Sequence, residues 1–463
     1  MAQEVERVPL AVIAREWGRI GCIGFGGPPA HIALLRTLCV NDRGWLSASE
    51  FEDGVAVCNL LPGPASTQLA IYCAWRLRGP AGALLGGFCF VFPGLVVILA
   101  LASVFLAARP PGWVSGAALG AGAAVPAVAV AAALSLAPAS WRRAGQRTGG
   151  QRGGGPPPAG QRGAGQLPAG ERGAGQPPAG ERDGGQPPAS AGGADGGPPD
   201  PAVPSGPAGA TPGAAGRRSR LAHARWSAYL LAGGASGALL GPWLVLVLAT
   251  CGLIEVAVRS RPRPRPRPPA PSAALLLATA GGAIASGGLA AVAWVAFKVG
   301  ALSYGGGFVI IPLMQRDAVH TYHWMSAGQF LTAVALGQVT PGPVVQTVAV
   351  VGYAAAGIGG GLLASAVAFA PSFAFVLAGG RYFDRLRANA GVQAFLTGAG
   401  PAAIGAIAGA AIPLALSLNH LWQAAVLAGA AVWLVAFRRG VVTAIVGAAA
   451  LGVITFLAGG PVT

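Results

Sequence analysis

One stretch of this chain occurs twice. Phe25-Gly26-Gly27 is followed by Trp45, Phe51 and Leu61-Pro62-Gly63-Pro64; Tyr304-Gly305-Gly306 is followed by Trp324, Phe330 and Thr340-Pro341-Gly342-Pro343. The matched residues keep a constant interval of 279, and a gapless alignment of 19–72 with 298–351 gives identity at 16 of 54 positions. A repeat this long, with Gly and Pro kept inside apolar runs, predicts a two-half protein with broken helices at its centre, an architecture used by transporters.

The class follows from the surroundings of that repeat. Only 10% of the 463 residues are charged and 53% are hydrophobic, whereas a soluble domain carries about a quarter charged residues. Runs such as 81–108, 421–437 and 441–458 approach or exceed the ~20 residues that cross a bilayer. The predicted fold is an all-α polytopic membrane protein; the apolar runs are continuous, which excludes a β-barrel. The net charge of +16 comes from Arg residues in loops beside apolar segments, a topology signal rather than a nucleic-acid surface. The six Cys form no CxxC pair and read as small buried hydrophobes, and His320 with His323 are too few for a metal site, so no cofactor is expected. The N-terminus is charged and lacks a cleavable-signal pattern.

The first half has apolar segments near 9–36, 52–75, 81–108, 113–138, 226–240 and 242–258, and the second has matching ones near 293–315, 330–352, 358–379, 392–416, 420–437 and 441–459. One more, 273–289, precedes the second half without a counterpart. The expected organisation is a first-half repeat in two parts, 1–141 and 221–258, a linker of alternating Arg and Pro at 259–271, and a second-half repeat at 272–463. The segment 142–220 carries a ten-residue Gly/Pro/Gln/Arg repeat that cannot bury a core, so a disordered insertion is expected there. Placing the Arg-rich insertion and linker in the cytoplasm puts the N-terminus there too. The charge bias then reverses between halves: Arg76 and Arg78 have no charged counterpart in 353–357, whereas Arg381, Arg385 and Arg387 lie in the loop that matches Pro110–Gly112. About thirteen spans in two inverted-topology repeats are therefore expected.

The Gly and Pro breaks free backbone groups that lipid cannot satisfy, so they are expected to face protein or a water-filled cavity. Pro64 and Pro343 each start a new half-helix, whose N–H groups and partial positive charge suit an anion. Arg19 and Lys298 occupy matched positions before the Gly runs, and two cations within apolar spans point to an anionic substrate. Gln68 and Gln346, one position out of register with each other, are neutral donors for an oxyanion. Asp317, beside Arg316, is the candidate for coupling or gating; an interfacial Arg–Asp pair is the alternative. Glu50, Glu52 and Asp53 have no acidic counterparts and read as interfacial.

FGGPPAHIALL from Phe25, WLSASEF from Trp45, LLPGPASTQLAIY from Leu60, GGGFVIIPLMQRDAV from Gly305 and FLTAVALGQVTPGPVVQTVAVVGY from Phe330 together resemble the chromate ion transporter family in its long two-domain form. The resemblance covers most of the chain outside 139–225. It implies efflux of chromate, a tetrahedral dianion, and chromate resistance. Two departures stand out: Leu38 sits where the family tends to carry an acidic residue, matched by Asp317 in the second half, and the insertion is not a family feature. The expected activity is secondary active export, with the two halves rocking for alternating access. An ATPase is not expected, because no GxxxxGK[ST] loop is present. The expected partners are chromate, with sulfate as an alternative substrate, and the lipid bilayer; a homodimer stays open. A non-transporting membrane scaffold is the rival class.

Overall fold

The computed structural model describes residues 8–59, 61, 63–145, 212–240, 244–259, 288–303, 310–379 and 389–461. The chain divides into two compact units, Met1–Thr148 with Arg218–Thr463, and Gly149–Arg217. The description below concerns the first. Among the described residues the regular structure is helical throughout.

The first half runs through α1 (Leu10–Ile23), α2 (Pro28–Arg36), α3 (Ala48–Cys58), α4 (Ala65–Phe105), α5 (Gly112–Gly145), α6 (Pro212–Ala235) and α7 (Leu244–Arg259). The second runs through α8 (Leu289–Leu302), α9 (Ile311–Gln315), α10 (Ala327–Val339), α11 (Thr347–Gly379), α12 (Ala390–Leu416), α13 (Leu421–Ala431) and α14 (Val441–Leu457). The elements match one for one. α1 and α8 begin and end 279 residues apart, and so do the π-helical turns Thr37–Asp42 and Arg316–Thr321. Ser47 and Ser326, also 279 apart, cap α3 and α10 with the same reciprocal box, closed by Glu50 in one half and Gln329 in the other. A second pair of π-turns, Ser236–Leu240 and Val432–Ala436, follows α6 and α13. The repeat therefore runs on past the stretch where residue identity shows it.

After the PGP breaks the interval falls to 278. The first half enters α4 directly, whereas the second passes through a 3-10 turn, Val344–Gln346, before α11. The tighter turn takes up one deleted residue. Gln68 and Gln346 thus occupy the same structural position. So do Gly79 and Gly357, whose φ of 61° and 62° interrupt α4 and α11. At these points the chain folds back on itself. A Cβ on Gly86 would meet Ala74 at 2.5 Å, and one on Gly361 would lie 2.9 Å from the Ala349 carbonyl, approaches that a continuous helix cannot make. The returning arm of α4 buries Phe90, Ile98 and Ala102 and exposes Leu84, Phe88, Phe92 and Val96. A helix apolar on both faces suits lipid on the outer one. Among the described residues, four helices are long and apolar enough to cross a membrane: Ala65–Phe105, Gly112–Ala144, Val344–Gly379 and Ala390–Leu416.

The halves interleave. α1 packs on α4, and its match α8 packs on α11. α5 receives α13 and α14 from the second half, and α12 receives α7 and the Ser236–Leu240 turn from the first. The matched pairs α4–α11 and α5–α12 also pack together. Small residues permit these approaches: a Cβ on Gly120 would collide with the Ala448 carbonyl, and one on Gly116 would lie 2.6 Å from the Gly452 carbonyl.

Helix also claims the ends of the expected insertion. α5 runs on to Gly145 with Arg142 and Arg143 in its last turn, where cations complement the exposed carbonyls, and α6 begins at Pro212. Residues 146–211, the linker from 260 to 271, residues 272–287 of the unmatched segment, and Arg381, Arg385 and Arg387 lie outside the described residues.

The α5–α14 contact predicts an asymmetric response to bulk. Gly120→Leu forces backbone apart and is expected to cost about 1–3 kcal/mol, visible as a lower thermal midpoint and less monodisperse protein in mild detergent. Gly447→Leu, on α14 with open space around it, is expected to leave both unchanged.

Candidate functional site

A backbone amide released inside an apolar protein must find another partner. Two of those released at the breaks find theirs in the opposite half. The Gly63 N–H donates to the Ser303 carbonyl at 2.6 Å, and the Gly342 N–H donates to the Gly24 carbonyl at 3.0 Å. Gly24 and Ser303 are themselves matched residues, each ending the first helix of its half. Each PGP break is therefore tied to the opposite half at the residue preceding its Gly-rich break, and the repeat generates two crossings. Gly63 and Gly342 adopt φ of 125° and 104°, in the region where only glycine is unstrained. Pro64 and Pro343 follow, and neither helix start has a side-chain cap. Their first-turn N–H groups and partial positive charge are directed at the crossings.

The side chains at the crossings are polar, buried and close. A Cβ on Gly63 would collide with Gln68 Nε2 and lie 3.1 Å from Ser372 Oγ; one on Gly342 would lie 3.0 Å from Gln346 Oε1. Both glutamines are fully buried. Gln346 Nε2 donates to the Val91 carbonyl at 2.6 Å on the returning arm of α4. His31, also fully buried, sets Nε2 2.9 Å from the Gly24 carbonyl and stands edge-on to Phe90. One carbonyl thus serves both His31 and Gly342. Sequence reasoning missed His31, Ser303 and Ser372. A histidine within an apolar run, with Ile310 at its matched position, was the available signal for the first.

The expected cations are each held by a carboxylate. Lys298 Nζ lies 2.5 Å from Asp317 Oδ2 and 5.7 Å from the centre of the Trp294 ring. Arg19 is mostly exposed and lies 3.7 Å from Glu16, a buried carboxylate that also takes Arg15 at 3.1 Å and Arg43 at 2.9 Å. Leu38 occupies the position matched to Asp317. Glu16, matched to Val295, supplies the acidic partner from α1 itself. Asp317 pairs with Lys298, while Arg316 lines a partly open cleft of about 590 Å³ with Gln315, His320, Thr321 and Ser417.

The Gly-rich break of the first half offers few donors to an anion. Phe25 and Gly26 are exposed, and Pro28 with Pro29 at the start of α2 carry no N–H. Pro62, Tyr304, Gly305 and Gly306 lie outside the described residues. Glu50 and Glu52 pair with Arg76 and Arg36. The Ser47 backbone N–H, then the Ser47 hydroxyl and Arg76, hold the Glu50 carboxyl below its ordinary value, which suits a permanent capping charge better than a proton carrier.

The Lys298–Asp317 pair carries its own test. Asp317→Asn leaves an ammonium without its counter-charge in a largely buried setting and is expected to cost about 3 kcal/mol. Asp317→Asn with Lys298→Gln is expected to recover part of the lost thermal midpoint. Equal midpoints for wild type and the Asp317→Asn variant would mean the pair contributes nothing to stability.

The family model for chromate transporters matches residues 11–149 and 290–453, that is α1–α5 of the first half and almost all of the second, with α6 and α7 outside the match. The chain is 26% identical over 400 residues to the chromate transport protein of Cupriavidus metallidurans, covering 86% of this chain and 80% of that one. It is 28% identical over 403 residues to the chromate transport protein of Pseudomonas aeruginosa, covering 86% and 79%. It is 23% identical over 412 residues to a probable chromate transport protein of Synechococcus elongatus, covering 87% and 84%. No solved structure matches. With most of the chain matched and the two breaks of each half present in its sequence, the chain belongs to the chromate transporter family.

Proposed function

We propose that this chain is a secondary active transporter that exports chromate across the inner (plasma) membrane and so confers chromate resistance. The observation that carries the reading is the pair of cross-half hydrogen bonds, Gly63 to Ser303 and Gly342 to Gly24, which bring two uncapped helix starts into buried, polar surroundings. Helix N-termini bind anions without a formal charge of their own. Release then does not require breaking a buried ion pair. In this reading Gln68 orients the oxyanion while Gln346 is engaged with the Val91 carbonyl, and Arg19 and Lys298, each already matched to a carboxylate, raise the local potential. Asp317, which holds Lys298, is the candidate for coupling or gating. The relatives named as chromate transport proteins support the substrate.

The topology belongs to the same proposal: about thirteen spans in two inverted repeats, with the N-terminus and the insertion in the cytoplasm. An inside-negative potential then drives the dianion outward, at about 2.3 kcal/mol per charge per 100 mV. Chromate uptake into everted vesicles carrying the chain, with an imposed potential and with or without excess sulfate, tests the reading. Potential-dependent accumulation is expected. Strong inhibition by sulfate would make the protein a general oxyanion carrier, the second reading. Absence of accumulation, with the protein verified in the membrane, would overturn transport and favour a scaffold.

A further inference from the structure

The two crossings are built from matched residues but differ in chemistry. At the first, Ser303 accepts from the Gly63 N–H through its carbonyl, and Ser372 Oγ lies against Gly63. At the second, the corresponding positions are Gly24, at an interval of 279, and Gly94, at the interval of 278 that holds after the breaks. Thr67, in the first turn of α4 beside the first crossing, corresponds to Val345 beside the second. All three hydroxyl-bearing residues thus stand at or next to one crossing. Each residue is 0% exposed, and the Ser303, Ser372 and Thr67 hydroxyl oxygens are buried without a hydrogen-bond partner.

The second crossing has no room for such groups. A Cβ on Gly94 would collide with the Pro341 carbonyl and lie 2.5 Å from Gln346 Oε1, and one on Gly24 would lie 2.7 Å from His31 Nε2. The Pro341 carbonyl and the side chains of His31 and Gln346 close that crossing at the matched positions. The first keeps three buried donors that the protein itself leaves unused, a costly arrangement unless something else accepts from them.

We propose that the oxyanion binds off the pseudo-twofold axis, at the Gly63 crossing alone, with the hydroxyls of Ser303, Ser372 and Thr67 as its side-chain donors and the start of α4 as its dipole. This rests on the transport reading above and deepens it, naming an asymmetric site with one anion per chain. Neutral hydroxyls match a ligand that is all acceptor: a tetrahedral oxyanion offers oxygen lone pairs in every direction and no proton to share.

The test sets binding against stability in the purified protein and in everted vesicles. Ser303→Ala and Ser372→Ala each remove a hydroxyl that has no protein partner, so the thermal midpoint is expected to hold or rise. The KM for chromate is expected to rise about tenfold for each, the loss of one hydrogen bond to a charged acceptor, with Vmax changed far less. Sulfate, used as the competing probe, is expected to lose inhibitory strength in parallel. Where an alanine variant reaches the membrane poorly, Ser303→Gly or Ser372→Gly, the residue of the matched crossing, replaces it. Unchanged KM in both positions, with wild-type transport intact, would overturn the off-axis site while leaving the transport reading in place. Absence of chromate transport and binding by the wild type would remove both.

Discussion

The central constraint is that backbone cannot be left unpaired in an apolar interior. A PGP sequence inside a hydrophobic run breaks the helical ladder and strands an amide, and this protein meets that cost by sending each one to the other half. The Gly63 and Gly342 bonds join residues far apart in sequence, and they fix where α4 and α11 begin. The uncapped helix starts, the buried glutamines and the shared Gly24 carbonyl all take their positions from that arrangement. A side chain at either glycine would both strain the backbone and displace the glutamine behind it.

The same interdependence governs how the molecule can move. The intuitive motion for a duplicated transporter is one half rocking against the other. Here α5 carries α13 and α14, and α12 carries α7, so separating the halves would break extensive glycine-mediated packing. A division that keeps α1–α4 with α8–α11, and α5–α7 with α12–α14, respects more of these contacts. The crossings lie within the first of these groups, and a change in access there need not open the α5–α14 seam.

Much of this was legible in the sequence, for a physical reason. Residues that break helices in lipid are conspicuous because everything around them is apolar, so the spacing of Gly and Pro announced the breaks and their duplication. The one-residue slip between Gln68 and Gln346 was visible too, but its cause, a 3-10 turn replacing α-helix, was not. Pairing was harder to see. Asp317 stood beside Arg316 in sequence yet pairs with Lys298, because residues adjacent along a helix point in different directions. Glu16 compensates for Leu38 from another helix, a relocation that aligning the halves position by position cannot show. Ser303 facing Gly24 looked like an ordinary substitution until the cross-half bond gave both residues the same structural place.

The interleaving of α5 with α14 also bears on how the chain is made. The first half leaves the ribosome with α5 lacking its principal neighbour, which follows about three hundred residues later. Until then the glycine face of α5 has only lipid or a chaperone against it, and long-range pairing of this kind is slow to form. Truncation within the last helix should therefore be felt first in the opposite half, by the oldest part of the nascent protein rather than the newest.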